Sequence, residues 1–190
     1  MPQKALEYGG MKAILVLMAP GFEEIEFTAP VDILRRLGVT VTCAGVKGTA
    51  VEGAHGITMQ ADTLLSEVLS ADYDGIVLPG GGASWLLRDT PAVLELVREF
   101  HAAGKLVAAI CAAPIALEAA GVLAGRRITC YPAEGVTNDI KSAATITGAL
   151  TETDGNIITG RGPGAAAEFG FALGSYLGYE VSTLRAEMQF

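Results

Sequence analysis

A cysteine, a set of glutamates and a glycine triplet carry most of the chemistry this sequence can do. Cys111 ends an apolar stretch at 105–110 and is followed at once by a second one rich in alanine. That is the pattern of a β-strand turning sharply into a helix. Ala108, Ala109, Ala112 and Ala113 are small enough to relieve the crowding that such an elbow imposes on a nucleophile. A sulfur at a helix N-terminus is favoured as thiolate, the form that attacks electrophiles. Cys43, inside a β-branched stretch, and Cys130 have the simpler reading of buried, inert thiols.

Glu23, Glu24 and Glu26 follow the first apolar run, where a helix is expected to begin. Carboxylates there complement the helix dipole, which is reason enough for Glu23 and Glu24. Glu23 and Glu26 share one face at i, i+3, and Glu26 is the candidate acid–base group. Gly80-Gly81-Gly82 ends another apolar run. It can offer backbone N–H groups to an oxyanion, or serve only as a flexible turn. A phosphate loop is excluded, because no Lys-Ser/Thr follows and the spacing is not G-x-G-x-x-G. The two histidines are His55, between Gly53 and Gly56, and His101, late in an expected helix. Spacing pairs neither with Cys111, although His55 from a neighbouring subunit could serve as an auxiliary. No Cys/His grouping suggests zinc, so neither metal nor cofactor is expected.

Strands and helices alternate around these residues. Buried strands are expected at 12–19, 40–47, 74–80, 105–111 and 127–131, and a short one at 56–60. Helices are expected at 23–37, 63–69, 90–103, 112–120 and 165–177, the first kinked at Pro30. A hairpin is expected from 144–149 and 155–160, turning at Thr153-Asp154-Gly155. This alternation implies an α/β fold with a mainly parallel, doubly wound sheet. Ligands of such sheets bind beyond the strands' carboxyl ends. That rule gathers Gly21 and the glutamates, the glycine triplet, Cys111, and Tyr131 with Pro132.

The 190 residues suit one domain, 11–190, after a short extension at 1–10. Thirteen basic against 21 acidic residues give a net charge of −8, and no basic stripe suggests specific nucleic-acid binding. The longest early apolar run is too short to span a bilayer, and three cysteines do not make a disulfide framework, so the cytoplasm is expected.

Four segments (20–37, 73–82, 106–118 and 160–170) together resemble the ThiJ/PfpI superfamily, in the subgroup of the Parkinson's-disease protein deglycase and its bacterial relatives. The resemblance runs from Lys12 to about Leu177. It implies a flavodoxin-like three-layer sandwich and a homodimer. Cys111 matches the family's reactive cysteine and Glu26 the carboxyl that contacts its sulfur. Gly81 and Ala112 match the positions whose N–H groups form an anion pocket. Human-type members carry a histidine where Tyr131 stands, so a mechanism using imidazole as base is weakened here. The resemblance implies a cofactor-independent enzyme acting on reactive small carbonyls or glycated groups. The alternatives are a redox sensor or chaperone working through oxidation of Cys111, and a PfpI-type cysteine hydrolase.

Overall fold

The computed structural model describes residues 12–143 and 145–190; the extension expected at 1–10 lies outside them. The central sheet has seven strands. β1 (Ala13–Met18) lies between β2 (Thr40–Gly45) and β6 (Gly75–Leu78). β7 (Leu106–Ile110), β11 (Ile157–Gly160) and β10 (Thr151–Asp154) continue beyond β6, and the two-residue β5 (Thr63–Leu64) edges β2. All neighbours are parallel except β10 and β11. The order is that of a flavodoxin-like sheet. β6 and β7 are buried at every residue, and β1 at all but its first. That is why they read as unbroken apolar runs: helices cover both faces, so neither face has to be polar.

The helices form two groups. α1 (Glu24–Arg36) packs on α6 (Ala166–Tyr176). α2 (Ala83–Arg88), α3 (Pro91–Ala102) and α4 (Pro114–Ala120) pack on one another. α1 runs unbroken through Pro30, so the predicted kink does not end it. α6 comes so close that a Cβ on Gly170 would sit 3.0 Å from Pro30 Cα and 2.9 Å from Ile33 Cδ1. Only glycine allows that approach. Two short ribbons lie outside the main sheet: β3 (Ala50–Glu52) with β4 (Thr58–Gln60), and β8 (Arg127–Ile128) with β9 (Thr145–Ile146). α5 (Glu134–Thr137) and α7 (Ser182–Glu187) complete the described chain.

Several elements differ from the sequence reading. The strand expected at 127–131 stops at Ile128 and never joins the main sheet. Beyond it the Thr129 N–H donates to Thr159 Oγ1 at 2.8 Å and the Tyr131 N–H to the Cys111 carbonyl at 2.8 Å. The place beside β7 belongs to β11. The hairpin turns at Gly155-Asn156, between the paired Asp154 and Ile157, but its first arm is Thr151–Asp154. The stretch expected to form that arm instead supplies β9. In place of a helix at 63–69 the chain forms β5 and a 310 turn at Leu65–Glu67. There the Glu67 carboxylate accepts bonds from the Thr63 hydroxyl and the Leu64 N–H. β3, α2, α5 and α7 were not foreseen.

Candidate active site

The carboxyl ends of β1, β6 and β7 converge on Cys111. Its φ is +65°, in the left-handed region that costs a non-glycine residue on the order of 1 kcal/mol or more. Three backbone bonds hold the chain in that shape. The Cys111 N–H donates to Gly160 O at 2.8 Å, the Cys111 carbonyl accepts from Tyr131 at 2.8 Å, and Ala113 N–H donates to Ile110 O at 3.1 Å. The elbow expected from the small neighbours is therefore present. The helix after it is not immediate, since α4 begins only at Pro114. The electropositive groups facing the sulfur are thus the local N–H groups of Gly81 and Ala112, not a helix end.

Glu26, on the first turn of α1, is fully buried. Its Oε2 accepts from the Gly80 N–H at 3.0 Å. Its Oε1 is buried with no hydrogen-bond partner among the described residues, and the carboxyl as a whole lies near the Cys111 thiol. Gly80 sits between the two. A Cβ there would overlap Glu26 Oε2 and lie 2.7 Å from Cys111 Cβ. Gly81 has φ +80°, and a Cβ on it would strike Gly21 O and come within 2.6 Å of Glu23 N. The first two glycines of the triplet are thus demanded by close approach, and the third caps α2.

Burial pushes the Glu26 carboxyl up to about 7; the Glu23 charge adds to this, while the bonds to Cys111 and Gly80 oppose it. Burial also pushes the Cys111 thiol up, and with the charge and hydrogen bond of Glu26 it reaches about 12, against the pull of the Gly81 and Ala112 N–H groups. The two groups titrate as a pair. With the carboxyl at about 7 and the thiol at about 12, the carboxyl gives up its proton first and the last proton is held at the sulfur. Cys111 is a thiolate when that proton resides on Glu26, which reverses the effect of the neighbouring carboxylate. The expectation that a helix end favours the thiolate is corrected: burial and the Glu26 charge raise the thiol, and the local N–H groups only partly oppose them.

Glu23 and Glu24 are not solvated dipole decoration: they are only 8% and 6% exposed. Glu23 Oε2 caps α1 by accepting the Glu26 N–H at 2.7 Å. Both Glu24 oxygens are taken by His55, one by its backbone N–H and one by its ring Nδ1, each at 2.7 Å. Burial alone would raise Glu24, but the bonds from His55 outweigh it and lower the carboxyl to about 2. The same hydrogen bond raises His55. His55 sits in the β3–β4 turn. That ribbon is fastened to the β1–α1 loop by Gly21 N–H to Glu52 O and Ala54 N–H to Phe22 O, both 2.8 Å. No hydropathy signal reveals this arrangement, because Glu24 is buried while its neighbour Ile25 is 55% exposed.

Among the described residues, Glu23, Glu24 and His55 are the one group whose donor atoms lie close enough to hold a cation, within 4.8 Å of one another. Both Glu24 oxygens are already occupied by His55, so the group is a closed ion-pair cluster. Tyr131 is half exposed, with its ring beside Gly162: a Cβ on that glycine would lie 3.3 Å from Tyr131 Cδ2. His101 ends α3, at the amino end of β7 and away from Cys111. Cys43 and Cys130 are buried.

The DJ-1/PfpI family model matches residues 12–175. The chain belongs to this family. It is 40% identical over 168 residues to the Drosophila melanogaster protein dj-1beta, covering 87% of this chain and 89% of that protein. The crystal structure of Drosophila DJ-1beta superposes with a TM-score of 0.89 at 36% identity, over 95% of this chain and 98% of that one. A Pyrococcus abyssi protein named as a deglycase is 37% identical over 152 residues, 80% of this chain and 90% of its own. Oxidised Toxoplasma gondii DJ-1 superposes with a TM-score of 0.86 at 31% identity, over 94% and 98% of the two chains.

Proposed function

We propose that this chain is a cysteine-dependent enzyme acting on small reactive carbonyls, converting methylglyoxal to lactate or reversing its adducts on protein and nucleotide groups. The observation that carries the reading is the pairing of Cys111, on its strained elbow, with a fully buried Glu26 whose carboxyl titrates near neutrality. The deglycase name of the Pyrococcus relative supports it.

In this mechanism the Cys111 thiolate attacks the aldehyde carbon and a C–S bond forms. Gly81 and Ala112 N–H groups hold the resulting oxyanion, which takes the proton from Glu26 and becomes a hemithioacetal. Glu26, now a carboxylate, removes the hydrogen from that carbon to give an enediol and returns a proton to the adjacent carbon. The product is a thioester of lactate. Water cleaves it, releasing lactate and restoring the thiol. The overall change adds one water to methylglyoxal and needs no outside oxidant or reductant. A carboxyl near neutrality can both give and take the proton, which is what the sequence of steps demands.

The assembly proposed is a homodimer, as the family resemblance implies, and the location proposed is the cytoplasm, where three unpaired cysteines stay reduced. Exposed Ile25 on α1 and Ile57 on the neighbouring β3–β4 turn offer an apolar patch consistent with it. A second reading, redox sensing through oxidation of Cys111, is favoured by the oxidised state named for the Toxoplasma relative and by the acidic partner beside the sulfur. No observation favours a PfpI-type hydrolase: among the described residues neither histidine hydrogen-bonds Cys111.

The deciding experiment is methylglyoxal consumption with lactate detection on the native protein and on Cys111→Ser. Turnover lost in the variant is the expected result. Full activity in the variant overturns the mechanism, and no turnover in native protein with reduced Cys111 transfers the weight to redox sensing.

A further inference from the structure

A row of ionisable groups leads from the surface to the sulfur. The side chains of His55 and Glu23 are 69% and 11% exposed, and Glu26 is fully buried beside Cys111. Glu23 stands in the middle. One of its oxygens accepts the Glu26 N–H at 2.7 Å and the other lies 4.0 Å from His55 Nδ1. The charged groups facing His55 are Glu24 on α1 and Glu23 at its N-cap. Those facing Glu26 are Glu23 at that N-cap and Cys111 on the β7–α4 turn; the β6–α2 loop contributes only the Gly80 N–H.

We propose that Glu23 and His55 are positioning residues that act as opposed charges on the Glu26–Cys111 pair, deciding which of the two holds the shared proton. The proposal rests on Cys111 and Glu26 being the reactive pair. Glu23 is bonded to the Glu26 backbone and its charge acts on the Glu26 carboxyl, so it holds the proton on Glu26 and leaves Cys111 as thiolate. A protonated His55 offsets that charge. The proton then moves toward the sulfur and the thiolate fraction falls. As pH rises and His55 loses its proton, the field of Glu23 is restored. The loop carrying His55 thereby tunes the nucleophile without touching it.

The test is the pH profile of Cys111 alkylation by iodoacetamide, with the label located by peptide mass spectrometry. Glu23→Gln keeps an oxygen to cap the Glu26 N–H but removes the charge. It should lower the plateau rate at alkaline pH about fivefold and move the midpoint to lower pH, since a Coulomb effect at this range changes an equilibrium by about that factor. His55→Lys, a fixed positive charge, should move both in the same direction by about threefold. His55→Gln should move the midpoint the other way. A structural role alone would change the rate without ordering the midpoints by charge. Superimposable profiles overturn the proposal, as do opposite shifts in Glu23→Gln and His55→Lys. If the ordered shifts appear while methylglyoxal is not consumed, the enzymatic reading fails and the charge device stands. A Cys111 that alkylates in no variant overturns both.

Discussion

Cys43 and Cys111 are both free and both buried, one inside a strand of the central sheet and the other just past the end of one, and burial pushes each thiol up to about 12. Their surroundings separate them. Cys43 lies within the regular strand β2, and the carboxylate near it, Asp62, accepts the Cys43 N–H at 2.8 Å and faces Arg35 at 3.4 Å. Asp62 is half exposed in its side chain, so solvent and a guanidinium already satisfy it. Glu26 has no such relief. It is fully buried with one oxygen unpaired, and it can carry the proton that Cys111 must lose. The lesson is that a reactive thiol is made by a partner able to accept its proton, and burial by itself makes an inert one.

Substituting the two cysteines breaks the comparison most directly. Cys111→Ser should lower methylglyoxal turnover by about 10³-fold or more. Cys43→Ser should keep turnover within about twofold and cost no more than about 1 kcal/mol of stability, because a hydroxyl there still meets Arg35 and Asp62. Denaturant melts beside the lactate assay read both effects. Next in size is Glu26→Gln, which should lower kcat/KM about 10²-fold, the usual worth of a general acid–base group. This variant also carries a stability signature. Glu26 moves from 4.5 to about 7 on folding, so the folded state holds the proton more tightly than the unfolded chain. Its contribution is complete below about pH 4.5 and is lost as pH rises through about 7. At ~1.4 kcal/mol per pH unit the loss is on the order of 3 kcal/mol. Melting curves from pH 5 to 8 should show the native protein losing stability relative to Glu26→Gln, with the variant the more stable at pH 8. Parallel curves would mean that Glu26 is not buried as an acid.

How far these differences could be read in advance depends on where a residue's environment comes from. The apolar runs of β1, β6 and β7 are local and long, and they declared both the parallel sheet and its carboxyl-end crevice. Cys111 showed itself because an elbow needs small residues beside it in the chain. Cys43 declared its inertness by its β-branched neighbours. The burial of Glu23 and Glu24 is set by a hairpin about thirty residues away that lays His55 against them. Nothing next to those glutamates records it. The fate of 127–131 is likewise decided by partners at Cys111 and Thr159, which are remote in sequence.

A smaller change tests whether contact between the pair matters as much as its chemistry. Gly80→Ala keeps every titrating group but puts a methyl against Glu26 Oε2 and Cys111 Cβ. Neighbours on both sides belong to packed elements, so the pair must separate. Turnover should fall about tenfold, and stability by about 1–3 kcal/mol, as for other overpacked sites. The alkylation rate of Cys111 should fall with turnover, because the proton has farther to move. If turnover fell while alkylation held, Gly80 would be shaping the space for substrate and not the pair.

The smallest effect expected is at Tyr131. Its N–H fixes the Cys111 carbonyl through the backbone, which any residue but proline supplies, and its half-exposed ring lies beside Gly162. A phenolic hydroxyl is a hydrogen-bond donor and a poor base. Tyr131→Phe removes only that donor and should leave kcat within about threefold, with any loss appearing in KM. A fall as large as that for Glu26→Gln would make the phenol a participant in proton transfer. The task of Glu26 would then be divided between two groups, and the contrast with Cys43 would rest on both of them.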